Sequence, residues 1–268
     1  MTKNHYDYII CGGGASGLLL AYRICNDPYF KDRSILMIEK DIKNTNDRTW
    51  CFWESGIGDL EELVDKNWDQ ANFSAEDFKL DFSLQPFHYK MIRSLDFYQS
   101  MNNKLSKFDQ LTQIKEKVKS IENGIVTTEI KSYHGGMIFS SIYNPNSLTL
   151  QKKYPVLLQH FIGLVVQTQK PCFDPNKIEF MNFNVPQKGN TRFMYVLPFK
   201  PNKALLEYTL FSENVLERKE YSDAIAEFLN QMPTGGFEIL EEEEGKIPMT
   251  CYRFDLKNSS NLLHIGTA

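Results

Sequence analysis

The chain has 268 residues, 42% hydrophobic and 24% charged, the composition of an ordinary soluble globular protein with room for a sizeable core. Its formal net charge of -4 gives no sign of a nucleic-acid partner, and none is expected. The five cysteines include no C-x-x-C pair, which gives neither a metal site nor a disulfide framework and fits a reducing compartment.

Met1 to Tyr8 runs straight into a first strand, so no signal peptide is expected there, and no apolar run reaches the length of a bilayer span. A cytoplasmic protein, or one held peripherally on the membrane surface, is predicted. Tyr8 to Cys11 is β-branched and apolar, as a buried parallel strand should be. Gly12, Gly14 and Gly17 follow at the spacing G-x-G-x-x-G, with Ala15 and Ser16 between them, and an apolar helix from Ala15 to Asn26 comes next. Each glycine has a task beside a dinucleotide. Gly12 permits the tight turn, Gly14 lets backbone approach a pyrophosphate, and Gly17 lets helix and strand close up. The helix N-terminus adds free N–H groups and the positive end of its dipole. Ser34 to Glu39 is a second strand, and its terminal acid lies where a ribose-binding carboxylate is expected. FAD is expected rather than NAD, since the motif is N-terminal and a large non-nucleotide region follows.

Asp47-Arg-Thr-Trp-Cys-Phe-Trp-Glu54 is too aromatic for a solvated loop. It reads either as a buried plug with an Asp47–Arg48 ion pair on its rim, or as the lining of a pocket. In the second case Asp47, Arg48, Trp50, Trp53 and Glu54 would surround an apolar, cationic group beside the cofactor, because aromatic faces stabilise positive charge. Gly56 to Asn72 is acidic and predicted helical around Leu60, Leu63 and Val64. Ser94 should cap a helix from Leu95 to about Lys107. Strands around Gln113–Ile121, Gly124–Lys131 and Met137–Ile142, with Asn123-Gly124 as a hairpin signal, predict a three-stranded meander. His134, beside two glycines, reads as a turn residue rather than a ligand.

After Asn144-Pro145 the pattern changes to four strand-like runs: Leu157–Thr168, Lys177–Phe183, Arg192–Phe199 and Lys203–Phe211. An amphipathic helix over Tyr221–Met232 follows. The like-charge block Glu241 to Glu244 reads as solvent-facing, and Gly245-Lys-Ile-Pro-Met-Thr250 as a tight segment near a sheet edge. The predicted architecture is α/β: a doubly wound, glutathione-reductase-like FAD-binding domain with an inserted antiparallel β-sheet substrate domain. The expected boundaries are 1–145 for the cofactor domain with its meander, 146–257 for the substrate domain, and 258–268 for a strand returning to the first. That strand runs into Gly266-Thr-Ala268 with no helix after it, so further sequence is expected beyond this end.

Several stretches resemble the FAD-dependent carotenoid cyclases of the bacterial lycopene β-cyclase type, in family order and over essentially the whole chain. They are Asp47 to Glu54, Gln159-His-Phe-Ile-Gly163 with Phe173-Asp174, Tyr195-Val-Leu-Pro-Phe199, Ala204 to Ser212, Gly245 to Thr250 and His264 to Ala268. The resemblance implies proton-initiated, non-redox closure of the ψ-ends of lycopene, or another acyclic carotenoid, to β-ionone rings. It also implies reduced FAD, NAD(P)H as the indirect electron source, a peripheral membrane association, and flavin contacts that include Gly266. The residue matching the family's catalytic acid is Glu207, which an apolar tunnel would keep protonated. Many relatives have two adjacent acids here, whereas this chain has Tyr208 second, and the family's Met-Asp-Phe is Met181-Asn182-Phe183. On a strand, Glu207 and Thr209 share one face and Tyr208 takes the other.

From the residues alone, Glu207 could equally anchor a backbone or arginine partner inside the sheet. A FAD-dependent isoprenoid oxidoreductase, of the geranylgeranyl reductase or monooxygenase type, would share the glycine loop, Glu39 and the overlying sheet. A third reading is an inactive fragment with an incomplete flavin site. Glu207 within Leu-Glu-Tyr-Thr, together with Asp-Arg-Thr-Trp, favours the cyclase.

Overall fold

The computed structural model describes residues 4–143, 148 and 150–267. In chain order the strands begin β1 (His5–Cys11), β2 (Ile35–Glu39), β3 (Thr49–Glu54), β4 (Val64–Trp68), β5 (Gln70–Ala75) and β6 (Phe78–Ser83). They continue as β7 (His88–Arg93), β8 (Leu111–Lys115), β9 (Val118–Glu122), β10 (Ile125–Thr128), β11 (Ser132–Ser140) and β12 (Val156–Thr168). The last are β13 (Lys177–Asn182), β14 (Thr191–Lys200), β15 (Lys203–Ser212), β16 (Phe237–Thr250) and β17 (Leu262–His264). The helices used below are α1 (Ala15–Asn26), α2 (Ser94–Leu105) and α3 (Arg218–Asn230).

The chain divides into two compact units. One comprises the described residues of Met1–Asn46, Ser94–Lys152 and Tyr252–Ala268, the other Asp47–Arg93 and Lys153–Cys251. The expected boundary at 145/146 lies outside the described residues. Asp47–Arg93, expected with the first domain, groups with the second, because its strands pair there.

In the first unit β8, β2, β1, β11 and β17 lie parallel in that order, and β11 also begins a meander with β10 and β9. Ile9, Cys11, Leu36 and Ile38 are almost wholly buried, the signature of parallel strands covered on both faces. The predicted strand 113–121 is in fact two: β8 joins the parallel sheet and β9 the meander. Asn123 and Gly124, at φ 50° and 77°, form the expected turn with both residues left-handed. His134 is not a turn residue. It sits in β11 with its ring stacked on His5, centroids 4.5 Å apart. Helix α2 begins at Ser94, and the Asn46 side chain accepts its Leu95 N–H at 3.1 Å.

In the second unit a seven-stranded sheet runs in the order β16-β12-β15-β14-β13-β5-β6, and a smaller one in the order β3-β7-β4. One face of the large sheet packs Leu206, Tyr208 and Leu210 under Tyr221, Ile225 and Leu229 of α3. The opposite face packs Leu205, Val165 and Leu197 with Trp68 and Met91 of the small sheet. Being covered twice, β15 is buried at Ala204, Leu205, Leu206, Tyr208, Thr209 and Leu210, which explains its unbroken apolar run. The helix predicted over 56–72 is absent. Its place is taken by a short 3-10 turn over Glu61–Leu63 and by β4 and β5, with Trp68 buried to 2% exposure. Tertiary pairing with β7 overrides the local helical pattern. Gly245–Thr250 is the continuation of β16, a sheet edge where Pro248 is tolerated.

The glycine loop yields a contrast in stability. A Cβ on Gly17 would stand 1.9 Å from the Gly12 carbonyl oxygen, whereas nothing lies within 4 Å of one on Gly14, the N-cap of α1. Gly17→Ala should cost ~1–3 kcal/mol as an overpacking change. Gly14→Ser, a favoured N-cap residue, should stay within ~0.5 kcal/mol of the parent. Thermal unfolding of the two variants checks this, and equal losses would contradict it.

Candidate functional site

In the first unit the loop after β1 brings together residues far apart in sequence. Gly12, at φ 107°, has the Ser141 hydroxyl 2.1 Å from where a Cβ would stand, so the turn tolerates no side chain. Gly13 N–H donates to Glu39 Oε2 at 2.6 Å, and Asp41 N–H donates to Oε1 at 3.0 Å. Gly266, at φ 69°, would place a Cβ 2.5 Å from Ser16 Oγ, so the return strand delivers its turn to the first turn of α1. Helix α1 has no side-chain cap and no acid in its first turn, which leaves its N–H groups and dipole to a ligand. Open space over Gly14, with Gly12 and Gly17 closed by protein atoms, is the pattern a dinucleotide pyrophosphate requires. A cavity of about 290 Å³ adjoins the loop, lined by Gly13, Leu18, Met37, Glu39, Lys43 and Gln113. The residues present therefore fit the nucleotide end of a dinucleotide.

In the second unit a set of titratable groups gathers around Glu207. On β15 this residue is flanked by Tyr195 of β14 and Gly163 of β12, and Gly163 is flanked in turn by Glu243 of β16. A Cβ on Gly163 would stand 3.0 Å from Glu207 Cγ and 3.1 Å from Glu243 Cγ. With no side chain between them, the two acids meet across the intervening strand and hydrogen-bond. Glu243 Oε2 also accepts from Thr49 Oγ1 at 2.7 Å. Glu207 is half-buried as a residue, but its carboxyl end is enclosed. Desolvation first, then the neighbouring Glu243 charge and hydrogen bond, push it well above the ordinary carboxylate range.

Around the two acids the flanking side chains of Cys51, Trp53, Tyr89, Phe180 and Tyr195 are aromatic or neutral. Burial holds the Cys51 thiol and the Tyr89 phenol far above neutral, and pushes Tyr195 up to about 12. Ring centroids lie 4.8 Å apart for Trp53 and Tyr89, 5.6 Å for Trp53 and Phe180, and 5.7 Å for Phe180 and Tyr195. The Thr209 hydroxyl, on the Glu207 face, is buried without a hydrogen-bond partner.

The Asp47–Glu54 stretch splits between the two faces of β3. Thr49 bonds Glu243, Cys51 feels Glu207, and Trp53 joins the ring cluster. Glu54 instead binds the Lys90 ammonium at 2.9 Å, together with Glu61 and the Gly56 carbonyl, so it anchors the small sheet. Trp50 alternates with Cys51 and so falls on the opposite face of β3 from Thr49 and Trp53. Arg48 donates to the main-chain oxygens of Asp47 and Glu244, at 2.7 and 3.3 Å. Tyr208 lies under α3, where its hydroxyl accepts from Arg192 at 3.4 Å. The acidic block is not uniformly solvated. Glu241 pairs with Arg93, and Glu242 and Glu244 pair with Arg218, while Glu243 turns to Thr49 and Glu207. Sequence reading missed Glu243, and period-2 alternation through the block was the signal available.

The family model described as lycopene cyclase protein matches residues 7–268. Capsanthin/capsorubin synthase of Citrus sinensis is 24% identical over 264 residues, covering 91% of this chain and 51% of that protein. Lycopene beta-cyclase of Pantoea ananas is 24% identical over 261 residues, covering 92% of this chain and 63% of that protein. The chain thus spans between about half and two-thirds of the length of these relatives. Among solved structures, a geranylgeranyl bacteriochlorophyll reductase-like protein of Thermoplasma acidophilum aligns with TM-score 0.68 at 12% identity, over 99% of this chain and 72% of its own. PqsL, a probable FAD-dependent monooxygenase of Pseudomonas aeruginosa, aligns with TM-score 0.66 at 13% identity, over 98% and 79%. At these identities the likeness establishes the fold, the α/β architecture of FAD-dependent enzymes with an antiparallel sheet domain. With one match running from the first strand to the return strand, the chain belongs to the lycopene cyclase family.

Proposed function

We propose that the chain belongs to a lycopene β-cyclase that closes the ψ-ends of lycopene into β-ionone rings without net oxidation or reduction. The observation that carries this reading is Glu207, a carboxyl enclosed among aromatic rings and held above its ordinary titration range. An alkene is a weak base, so its protonation requires an acid that still holds its proton at neutral pH and has no water to lose it to. Glu207 delivers that proton to the terminal double bond. The neighbouring double bond closes on the resulting cation, and loss of a ring proton restores neutrality. The faces of Trp53, Phe180, Tyr89 and Tyr195 offer stabilisation to the cation.

FAD is the proposed cofactor, its pyrophosphate over Gly14 and at the N-terminus of α1, with Gly12, Ala15, Ser16, Gly17 and Gly266 forming the cradle and Glu39 at the ribose side. Bound and reduced, with NAD(P)H as the indirect source of electrons, it would supply an electron-rich ring able to stabilise positive charge. Among the described residues no helix is long and apolar enough to cross a membrane, and a peripheral association is proposed for access to a lipid-dissolved substrate.

Three expectations follow for the full-length gene product. Gly14→Val fills the space over the loop, where no atom lies within 4 Å, and should abolish flavin retention while leaving the fold intact. Stoichiometric flavin in the purified variant would sink the cofactor assignment. Glu207→Gln should lower β-carotene formation in lycopene-accumulating cells by ~100-fold or more, the scale of a lost general acid, and Glu207→Asp should keep a trace. Product of the same mass as lycopene distinguishes cyclisation from reduction or hydroxylation. Glu207→Gln should also change stability with a defined sign. A carboxyl raised in the folded state contributes fully below its unfolded value near 4.5 and loses that contribution as pH rises through the folded value. The melting temperature of Glu207→Gln should therefore gain on the parent as pH increases, and a pH-independent difference would contradict the buried acid.

A further inference from the structure

The carboxyl beside Glu207 is not the adjacent residue on β15, which is Tyr208 on the other face, but Glu243, two strands away. Neighbouring strands are about 4.8 Å apart, so residues on β15 and β16 are separated by roughly twice that and ordinarily meet only through the strand between them. Here that strand carries Gly163 at the crossing point, and both acids lean over it. The Thr49 hydroxyl, from the small sheet, donates to Glu243 and fixes its orientation. The other three acids of the block are neutralised by Arg93 and Arg218, so among the described ion pairs Glu243 is the member left without an arginine.

We propose that Glu243 is a positioning residue for the cyclisation: its carboxylate, brought over Gly163 and oriented by Thr49, shares a single proton with Glu207 and keeps that acid loaded. This rests on the cyclase reading. Two carboxyls in contact, away from water, cannot both ionise, so the pair retains one proton under conditions where an isolated glutamate has lost it. The cycle balances without any oxidant or reductant. The proton leaves a Glu207 oxygen for the less substituted carbon of the substrate's terminal double bond, and the pair is then fully anionic while the substrate carries a tertiary cation. The ring carbon–carbon bond forms, the C–H bond at the ring junction breaks, and that proton returns to the pair. Two carboxylates facing the transient cation stabilise it in a dry site, where charges act strongly.

The remaining groups facing Glu207 do not compete for this role. Cys51 of β3, Tyr89 of β7 and Tyr195 of β14 are held in their neutral forms by burial. Arg93 is engaged by Glu241 and Arg218 by Glu242 and Glu244, while Arg48 donates to main-chain oxygens.

The test uses full-length protein with lycopene in detergent, and a parallel carbon-13 titration of the Glu207 carboxyl. Glu243→Gln preserves size and can still accept from Thr49, but carries no charge. Activity near neutral pH should fall by about tenfold, within the coupling range of neighbouring side chains, and should recover toward acid pH as Glu207 regains its proton. The Glu207 carbon should titrate at lower pH than in the parent. Glu243→Asp, which keeps the charge, should hold a pH profile close to the parental one. A Glu243→Gln variant that loses activity equally at every pH, or whose Glu207 carbon titrates as in the parent, overturns the proposal. Should Glu243→Gln fail to fold, a Glu243→Asp profile displaced from the parental one, with the Glu207 titration unmoved, overturns it as well. A parent without cyclase activity whose Glu207 titration still responds to Glu243→Gln would refute the proposed reaction while keeping the shared proton.

Discussion

A carboxyl on a strand covered from both sides either finds a cation or keeps its proton, and the second unit is built around the latter outcome. Strand β15 lies between α3 on one face and the small sheet on the other, so its one acid, Glu207, has no bulk solvent to ionise into. Its partners reinforce that state. Desolvation acts first, and Glu243 then adds a like charge and a hydrogen bond. An arginine there would have made a structural ion pair with no proton to give. The arginines engaged by this unit's acidic block are spent on Glu241, Glu242 and Glu244.

Glycine sets the geometry in both units, for opposite reasons. In the first unit Gly12 and Gly17 are closed in by protein atoms, so their lack of a side chain allows close packing, while Gly14 faces open space. A loop that is tight everywhere except at one point is a cradle for something the chain itself does not supply. In the second unit Gly163 has carboxyl stems within about the distance of a tight contact, and its missing side chain lets acids from β15 and β16 touch. On the proposed reading, the same residue type serves a phosphate in one place and a proton in the other.

Much of this was legible in the sequence wherever local pattern and tertiary context agree. The run Tyr8–Cys11, the glycine spacing, α1 and the four strands from Leu157 to Phe211 fall where their periodicity put them. So does the placement of Tyr208 opposite Glu207, which follows from strand alternation alone. The failures share one cause. Gly56–Asn72 has a helical spacing of leucines, yet β4 forms there because β7 is available as a partner and Trp68 has a core to enter. The Asp47–Glu54 stretch read as one unit, either a buried plug or a pocket lining, but a strand shows its odd and even residues to different neighbours, so Trp53 and Glu54 part company. Glu243 was hidden by composition: four glutamates in a row look solvated, and only pairing with β12 shows that one of them points at Glu207.

The central claim is that one proton resides between Glu207 and Glu243 at neutral pH. Neutron diffraction from deuterated crystals grown near pH 7 observes it directly. The account predicts nuclear density for a single deuteron on the Glu207 carboxyl, directed at Glu243, with the Thr49 deuteroxyl also pointing to Glu243. Two deuteron-free carboxylates separated by a cation or an ordered water would contradict it.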